Sequence, residues 1–107
     1  MREVILNFPQ QIKGGIKSAG DFRIEKNKYE RIVICGMGGS IIPGMILLTW
    51  HEHQNKGPGV PVIINNNYDL PSDVSSKDLV ICISWSGTTE ETISSCKSAA
   101  DKEIDTT

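Results

Sequence analysis

Three apolar runs, Ile32-Val33-Ile34-Cys35, Val60 to Ile64 and Leu79-Val80-Ile81-Cys82-Ile83, punctuate a chain whose other apolar residues recur at helical spacing. Runs this short, without polar alternation and bounded by glycine or asparagine, predict strands buried on both faces, as in a parallel sheet. The strands are expected at Arg31 to Cys35, Val60 to Ile64 and Leu79 to Ile83. Ahead of them, Phe8, Ile12, Ile16 and Ala19 form one stripe at three- to four-residue spacing and predict a leading helix. Asn7 would cap it, with Pro9 tolerated in its first turn. Gly14-Gly15 costs that helix roughly 1–2 kcal/mol relative to alanine, so it needs packing support. A polar link, Glu25 to Glu30, leads into the first strand. After that strand, Ser40 is expected to open a second helix that is apolar over a broad side through Ile41, Ile42, Met45, Ile46, Leu47 and Leu48, with Pro43 in its first turn and Gly57-Pro58-Gly59 beyond its end. Asn65-Asn66-Asn67 closes the second strand, and Pro71-Ser72 marks a loop. Thr88 or Thr89 caps a last helix running to about Ala100, with Glu90 and Glu91 near its positive end.

Strand, helix, strand, loop, strand, helix is the opening of an α/β fold, an open doubly wound parallel sheet of about three strands. The third strand is strongly apolar, and an unpaired edge of that kind is an aggregation hazard. The chain reaches its last residues, Glu103 to Thr107, just where a fourth strand should begin, so none is expected to form. The expectation is therefore an incomplete sheet, the leading part of a longer domain. Residues 1–30 would be its leading helix and link, and 31–107 the first part of the sheet.

The composition narrows the classes of function. With 107 residues the chain is at most one domain, 38% hydrophobic and 22% charged, as in a soluble globular protein. A formal charge of −2, with no run of Lys or Arg, argues against a nucleic-acid partner. No apolar stretch approaches the ~18 residues of a membrane span, and MREVILNFPQQ lacks the apolar core of a secretory signal. Cys35, Cys82 and Cys96 form no Cys-x-x-Cys motif, so they read as small buried hydrophobes of a cytoplasmic protein. His51 and His53, read as solvated residues where a helix runs out, make no metal site.

The candidate chemistry lies in two loops that leave the carboxyl ends of strands one and three. These are Gly36-Met37-Gly38-Gly39-Ser40 and Ser84-Trp85-Ser86-Gly87-Thr88-Thr89-Glu90-Glu91. If strand one sits between strands two and three, both loops open into the crevice at the sheet's switch point, where α/β proteins bind ligands. Gly38 and Gly39 leave backbone N–H groups accessible, and Ser40, Ser84, Ser86, Thr88 and Thr89 add hydroxyl donors. Each hydrogen bond to an ionised phosphate contributes about 1.5–3 kcal/mol, against roughly 0.3–1 kcal/mol for an exposed helix dipole. Directed donors therefore let a slightly acidic protein hold a dianion without a basic patch. The bland alternatives are a packing turn and a simple helix cap; their joint placement at the switch point favours a site. A dinucleotide fold is disfavoured, because Ile41 stands where Gly-x-Gly-x-x-Gly needs its third glycine and Asn65 to Asn67 replace the acidic ribose ligand. A Walker loop is absent.

These loops resemble those of the sugar isomerase (SIS) domain family. The opening Met1 to Pro9, the Ile34 to Ser40 turn and the Ser84 to Glu91 segment are similar to the start of the bifunctional phosphoglucose/phosphomannose isomerases of archaea and bacteria. The resemblance implies a flavodoxin-like five-stranded parallel sheet, two such domains per subunit and a homodimer of the full-length protein. By position it implies that Gly38, Gly39 and Ser40 line a sugar-phosphate site and that Ser84, Ser86 and Thr89 hold the phosphate. Trp85 stands in place of the commoner tyrosine, where it reshapes the rim, and Thr88 in place of the commoner asparagine. The implied reaction interconverts glucose 6-phosphate or mannose 6-phosphate with fructose 6-phosphate through an enediol, with no metal or organic cofactor. The family's catalytic glutamate and histidine lie beyond residue 107. Glu90 and Glu91 read as residues of a helix start, and His51 matches no motif position. The alternative is a non-catalytic sugar-phosphate-binding module, a sensor or regulator.

Overall fold

A computed structural model of the chain describes residues 1–107 except residues 22, 24, 26 and 55–58 and the side chain of Gln54. It contains β1 (Arg31–Cys35), β2 (Val62–Asn65), β3 (Asp78–Cys82) and β4 (Asp105–Thr106), with helices α1 (Arg2–Ser18), α2 (Ile42–Gln54) and α3 (Glu90–Asp101). The strands form one sheet in the order β2-β1-β3-β4, with every neighbouring pair parallel. β1 thus sits between β2 and β3, the condition for the two polar loops to meet, and the strand order reverses between β1 and β3.

The apolar runs of β1 and β3 are continuous because each of these strands feeds two cores. Ile32, Ile34 and Leu79 pack on one face with Val62, Leu47 and Leu48, the last two from α2. Val33, Cys35 and Val80 pack on the other with Leu70, Val74, Ile104 and Ala99, the last from α3. One helix therefore covers each face, which is the doubly wound arrangement.

The outer edge of β3, expected to stand unpaired, is covered by a fourth strand. Cys82 N–H donates to Thr107 O at 2.8 Å, and Thr107 N–H to Val80 O at 3.1 Å. The chain reaches that edge through a tight helix exit. Glu103 adopts the left-handed conformation at φ 55°, Ile104 N–H donates to Ala99 O at 2.9 Å, and Glu103 N–H to Ala100 O at 3.0 Å. This pair of bonds is a Schellman motif, and the residue after the left-handed one, Ile104, drops into the core as that motif favours. Asp105 is then held by Lys28 at 3.0 Å and by the Tyr29 hydroxyl at 2.7 Å. The polar link between helix and sheet thus anchors β4.

Two helices depart from expectation. α1 begins at Arg2, so Asn7 is not its cap and Pro9 lies inside it. Arg2, Glu3 and Leu6 are good helix formers, and Glu3 sits favourably in the first turn, so the helix extends ahead of the proline. None of its residues is buried, and Val4, Ile5, Phe8, Ile12 and Ile16 are exposed. The packing support its glycine pair calls for is absent among the described residues. α2 starts at Ile42 because Gly38–Ile41 forms a 3-10 turn, so Ser40 is not the first residue of an α-helix. His51 and His53 lie within α2, and His51 is half-buried rather than a solvated turn residue. The residues at 57 and 58 expected beyond its end lie outside the described residues.

At the amino ends of β1 and β3, Arg31 donates to both carboxylate oxygens of Asp78, at 3.1 and 2.9 Å, and to the Asp73 carboxylate at 2.7 Å and carbonyl at 2.8 Å. Ser75 N–H adds a bond to Asp78 at 2.9 Å. Burial pushes the Asp78 carboxyl up, but Arg31 and the Ser75 N–H outweigh it and hold the group below its ordinary range. The folded-state pKa is therefore depressed. Its contribution to stability is fully present above the unfolded-state value near ~3.9 and is lost as pH falls through the folded-state value.

Two predictions follow from these contacts. Asp78→Ala should destabilise the fold by about 3 kcal/mol in urea unfolding, the lower end for a broken buried pair because Arg31 keeps Asp73. The variant should also lose part of the wild-type stability decrease below about pH 4. Glu103→Gly, by relieving a left-handed non-glycine residue, should stabilise by about 0.5–1 kcal/mol, read as a raised unfolding midpoint.

Candidate phosphate-binding crevice

Register decides what meets at the switch point. Arg31 pairs with Asp78 and Cys35 with Cys82, so the carboxyl ends of β1 and β3 finish level. Ile83 N–H donates to Cys35 O at 2.8 Å, which carries the pairing one residue further. Gly36 follows at a point with no room for a side chain, since a Cβ there would lie 3.2 Å from Ile83 O and 3.3 Å from Ser40 O. Gly38 then turns with φ +54° and Gly87, in the facing loop, with φ +69°. Both conformations favour glycine.

The β3 loop is organised by its own hydroxyls. Ser84 Oγ accepts Gly87 N–H at 3.1 Å and lies 3.0 Å from Thr89 Oγ1. Ser86 Oγ accepts both Thr88 N–H at 3.2 Å and Thr88 O–H at 3.0 Å, and sits 3.5 Å from Thr89 Oγ1. With its lone pairs occupied, Ser86 has its own O–H left to donate. Thr89 is the cap residue of α3, and its carbonyl accepts Ile93 N–H at 3.0 Å, but its hydroxyl makes no capping bond. That hydroxyl belongs to the serine cluster instead. The arrangement concentrates hydroxyl donors at the start of a twelve-residue helix, where unpaired N–H groups and a partial positive charge also favour an anion.

The two loops touch. Trp85 N–H donates to Ser40 Oγ at 3.4 Å, a long bond across the mouth of the switch point. Between the loops lies an open crevice of about 510 Å³ lined by Gly39, Ser40, Pro43, Ile83, Ser84 and Trp85. Of the residues singled out from sequence, Gly39, Ser40 and Ser84 line this crevice. Ser86, Thr88 and Thr89 stand beside it in the hydroxyl cluster, joined to it through Ser84. Gly38 turns the chain without lining the crevice.

A support beneath the site went unread in the sequence. Asn65, buried at the end of β2, donates to Ser95 Oγ at 3.2 Å and to Cys35 Sγ at 3.6 Å. The Ser95 hydroxyl lies 3.0 Å from Asn67 O and 3.2 Å from Tyr68 O. This network ties β2, its following loop and α3 to the end of β1. The available signal was a polar residue ending an apolar strand opposite a serine on a helix face. Cys35 is buried and Cys82 half-buried beside it; the neighbouring Cys35 thiol and burial push the Cys82 thiol well up, so it stays protonated. Among the described residues, no group of three or more His, Cys, Asp or Glu is placed to hold a metal, and no helix is long and apolar enough to cross a membrane.

Comparison with known proteins gives this geometry a context. The chain is 38% identical over 104 residues to a bifunctional phosphoglucose/phosphomannose isomerase of Caldicellulosiruptor bescii, an alignment covering 95% of the chain and 30% of that protein. It is 41% identical over 91 residues to the protein of the same name from Thermoplasma volcanium, covering 85% of the chain and 27% of the relative. A more distant match, 29% identical over 113 aligned positions, is a glutamine–fructose-6-phosphate aminotransferase (isomerizing) of Pyrococcus horikoshii, of which 18% is covered. No protein-family model matches the chain, and no solved structure matches it significantly. The chain spans less than a third of the length of these isomerase relatives. Over most of its length this chain is similar in sequence to the leading part of bifunctional phosphoglucose/phosphomannose isomerases, and it folds as an open parallel α/β sheet.

Proposed function

We propose that this chain carries the sugar-phosphate-binding half of an aldose–ketose isomerase site, as the leading portion of a SIS domain. The observation that carries the reading is the meeting of the Gly39-Ser40 turn and the Ser84–Thr89 hydroxyl cluster at the switch point. The relatives' names point to the same ligand class: phosphoglucose and phosphomannose in one group, fructose 6-phosphate in the other. Hexose 6-phosphates are the common chemistry. Ser84, Ser86 and Thr89 hold the phosphate, with Thr88 ordering Ser86, and Gly39 and Ser40 face the sugar while Gly38 shapes their turn.

The isomerisation itself needs a carboxylate to move a proton between C1 and C2 and a group to open the ring. Neither is supplied at the crevice, whose lining contains no titratable side chain among the described residues. Glu90 accepts a bond from the Tyr68 hydroxyl at 3.3 Å at the start of α3, and serves the helix end rather than proton transfer. Chemistry therefore belongs to residues outside this chain, in a longer cytoplasmic protein. The exposed apolar faces of α1 and α2 support its further assembly, as a homodimer.

Two outcomes test the reading. Fructose 6-phosphate and inorganic phosphate should both shift the amide resonances of Gly39, Ser40 and Ser84 to Thr89 in a two-dimensional spectrum. A dispersed spectrum that ignores both ligands would refute the site. Ser84→Ala, which removes one hydroxyl from an ionised ligand, should weaken binding of both ligands by roughly tenfold to a hundredfold in calorimetry. Its unfolding midpoint should change little, because the hydroxyl lies in a loop.

A further inference from the structure

Trp85 is the least explained residue of the crevice. Its side chain is 99% exposed, the highest value among the exposed large hydrophobics, yet it belongs to the crevice wall. Its backbone is fixed on both sides: Trp85 N–H donates to Ser40 Oγ, and Ser84 before it anchors the loop through Gly87 N–H. The fold thus holds the residue's position while burying none of its ring. Leaving a large aromatic surface in water forgoes the stabilisation its burial would bring, so packing does not account for it.

We propose that the Trp85 indole is a stacking platform for the sugar ring, so that Trp85 reads the sugar while the hydroxyl cluster reads the phosphate. The inference rests on the phosphate-site reading above and adds to it the part of the ligand that a phosphate site alone ignores. The geometry divides the labour. Ser84 is shared between the crevice and the hydroxyl cluster, so a phosphate held by the cluster places its attached carbon chain toward Gly39, Ser40 and Trp85. A hexose presents hydroxyls at its edge and a face of C–H groups. The electron-rich face of an indole attracts such C–H groups, and the flat contact excludes water from both. Gly39 and Pro43, also in the lining, offer no hydrogen-bonding side chain, which leaves the ring's hydroxyls to Ser40 and Ser84. The crevice, at about 510 Å³, lies within the size range of clefts that hold small ligands, about 300–1,000 Å³.

The test compares two ligands on the whole chain and three variants by isothermal titration calorimetry. Fructose 6-phosphate carries the sugar, and inorganic phosphate is the probe for the hydroxyl cluster alone. Trp85→Ala should weaken fructose 6-phosphate binding by roughly five- to tenfold and leave inorganic phosphate affinity unchanged. Trp85→Tyr and Trp85→Phe should restore most of the loss, since either ring offers a π face. Equal affinity of Trp85→Ala and the unaltered chain for fructose 6-phosphate would overturn the platform while leaving the phosphate site standing. A parallel loss for both ligands would also overturn it, by showing that Trp85 shapes the loop instead. If the unaltered chain bound neither ligand, the phosphate-site reading would fall and this inference with it. Indole emission supplies an independent check. Fructose 6-phosphate should shift the component lost in Trp85→Phe, and inorganic phosphate should not.

Discussion

The pairing of β1 with β3 is the constraint on which the rest of the molecule depends. It brings together two strands that are far apart in sequence, and its register decides which loop residues can share a ligand. The register is set from the amino ends, where Arg31 grips Asp78 and the loop residue Asp73. A slip of one residue would turn Val33 and Val80 away from the α3 core. It would also move Gly36 from its close approach to Ile83 O, the contact that allows the two loops to leave side by side. The salt bridge and the crevice lie at opposite ends of the same strands. The functional geometry is therefore specified at a distance, by an interaction that touches no ligand.

The crevice shows how a protein of net charge −2 can be suited to a dianion. Among the described residues, no lysine or arginine lines it. Hydroxyls and backbone N–H groups replace them, and they differ from a basic side chain in where their cost falls. A lysine brings charge from a distance but must be desolvated and ordered. The serine and threonine hydroxyls are already ordered by one another, as in the bonds among Ser84, Ser86, Thr88 and Thr89. They are short, have little rotamer freedom to lose, and can rotate a proton toward the ligand without moving a heavy atom. Such a site discriminates by geometry rather than by net charge, which suits a ligand whose phosphate must be placed so that its sugar lies in a defined direction.

The parts legible in the sequence are those set by local pattern. The two-faced strands and the polar loops that leave β1 and β3 follow from apolar runs ended by glycine or serine, whereas the central position of β1, on which the meeting of those loops depends, is a matter of strand order. Other features depend on contacts that no local pattern carries. The β4 strand is two residues long and has no apolar alternation; it exists because Glu103 turns left-handed and Lys28 and Tyr29 hold Asp105. α1 starts nearly two turns ahead of the Asn7 cap that the pattern predicts, because Pro9 looks like a first-turn residue while the helix formers before it carry the helix through. The opening of α2 was misplaced because Gly38 and Gly39 favour a tight turn before Ile42. Of the candidate site, the hydroxyl residues were recognisable by type. That Ser84 alone joins cluster and crevice was not, because it depends on which way each side chain leaves the loop.

α2 makes the sharpest argument that this unit works as part of something larger. Leu47 and Leu48 pack on the sheet, while Ile42, Met45, Ile46 and Trp50 on its outward side remain exposed. A helix apolar on all sides belongs in an interior. α1 differs, with a single apolar stripe, but none of its residues is buried. The crevice sits at the amino end of α2, beside Pro43, so whatever covers that helix also approaches the open side of the site.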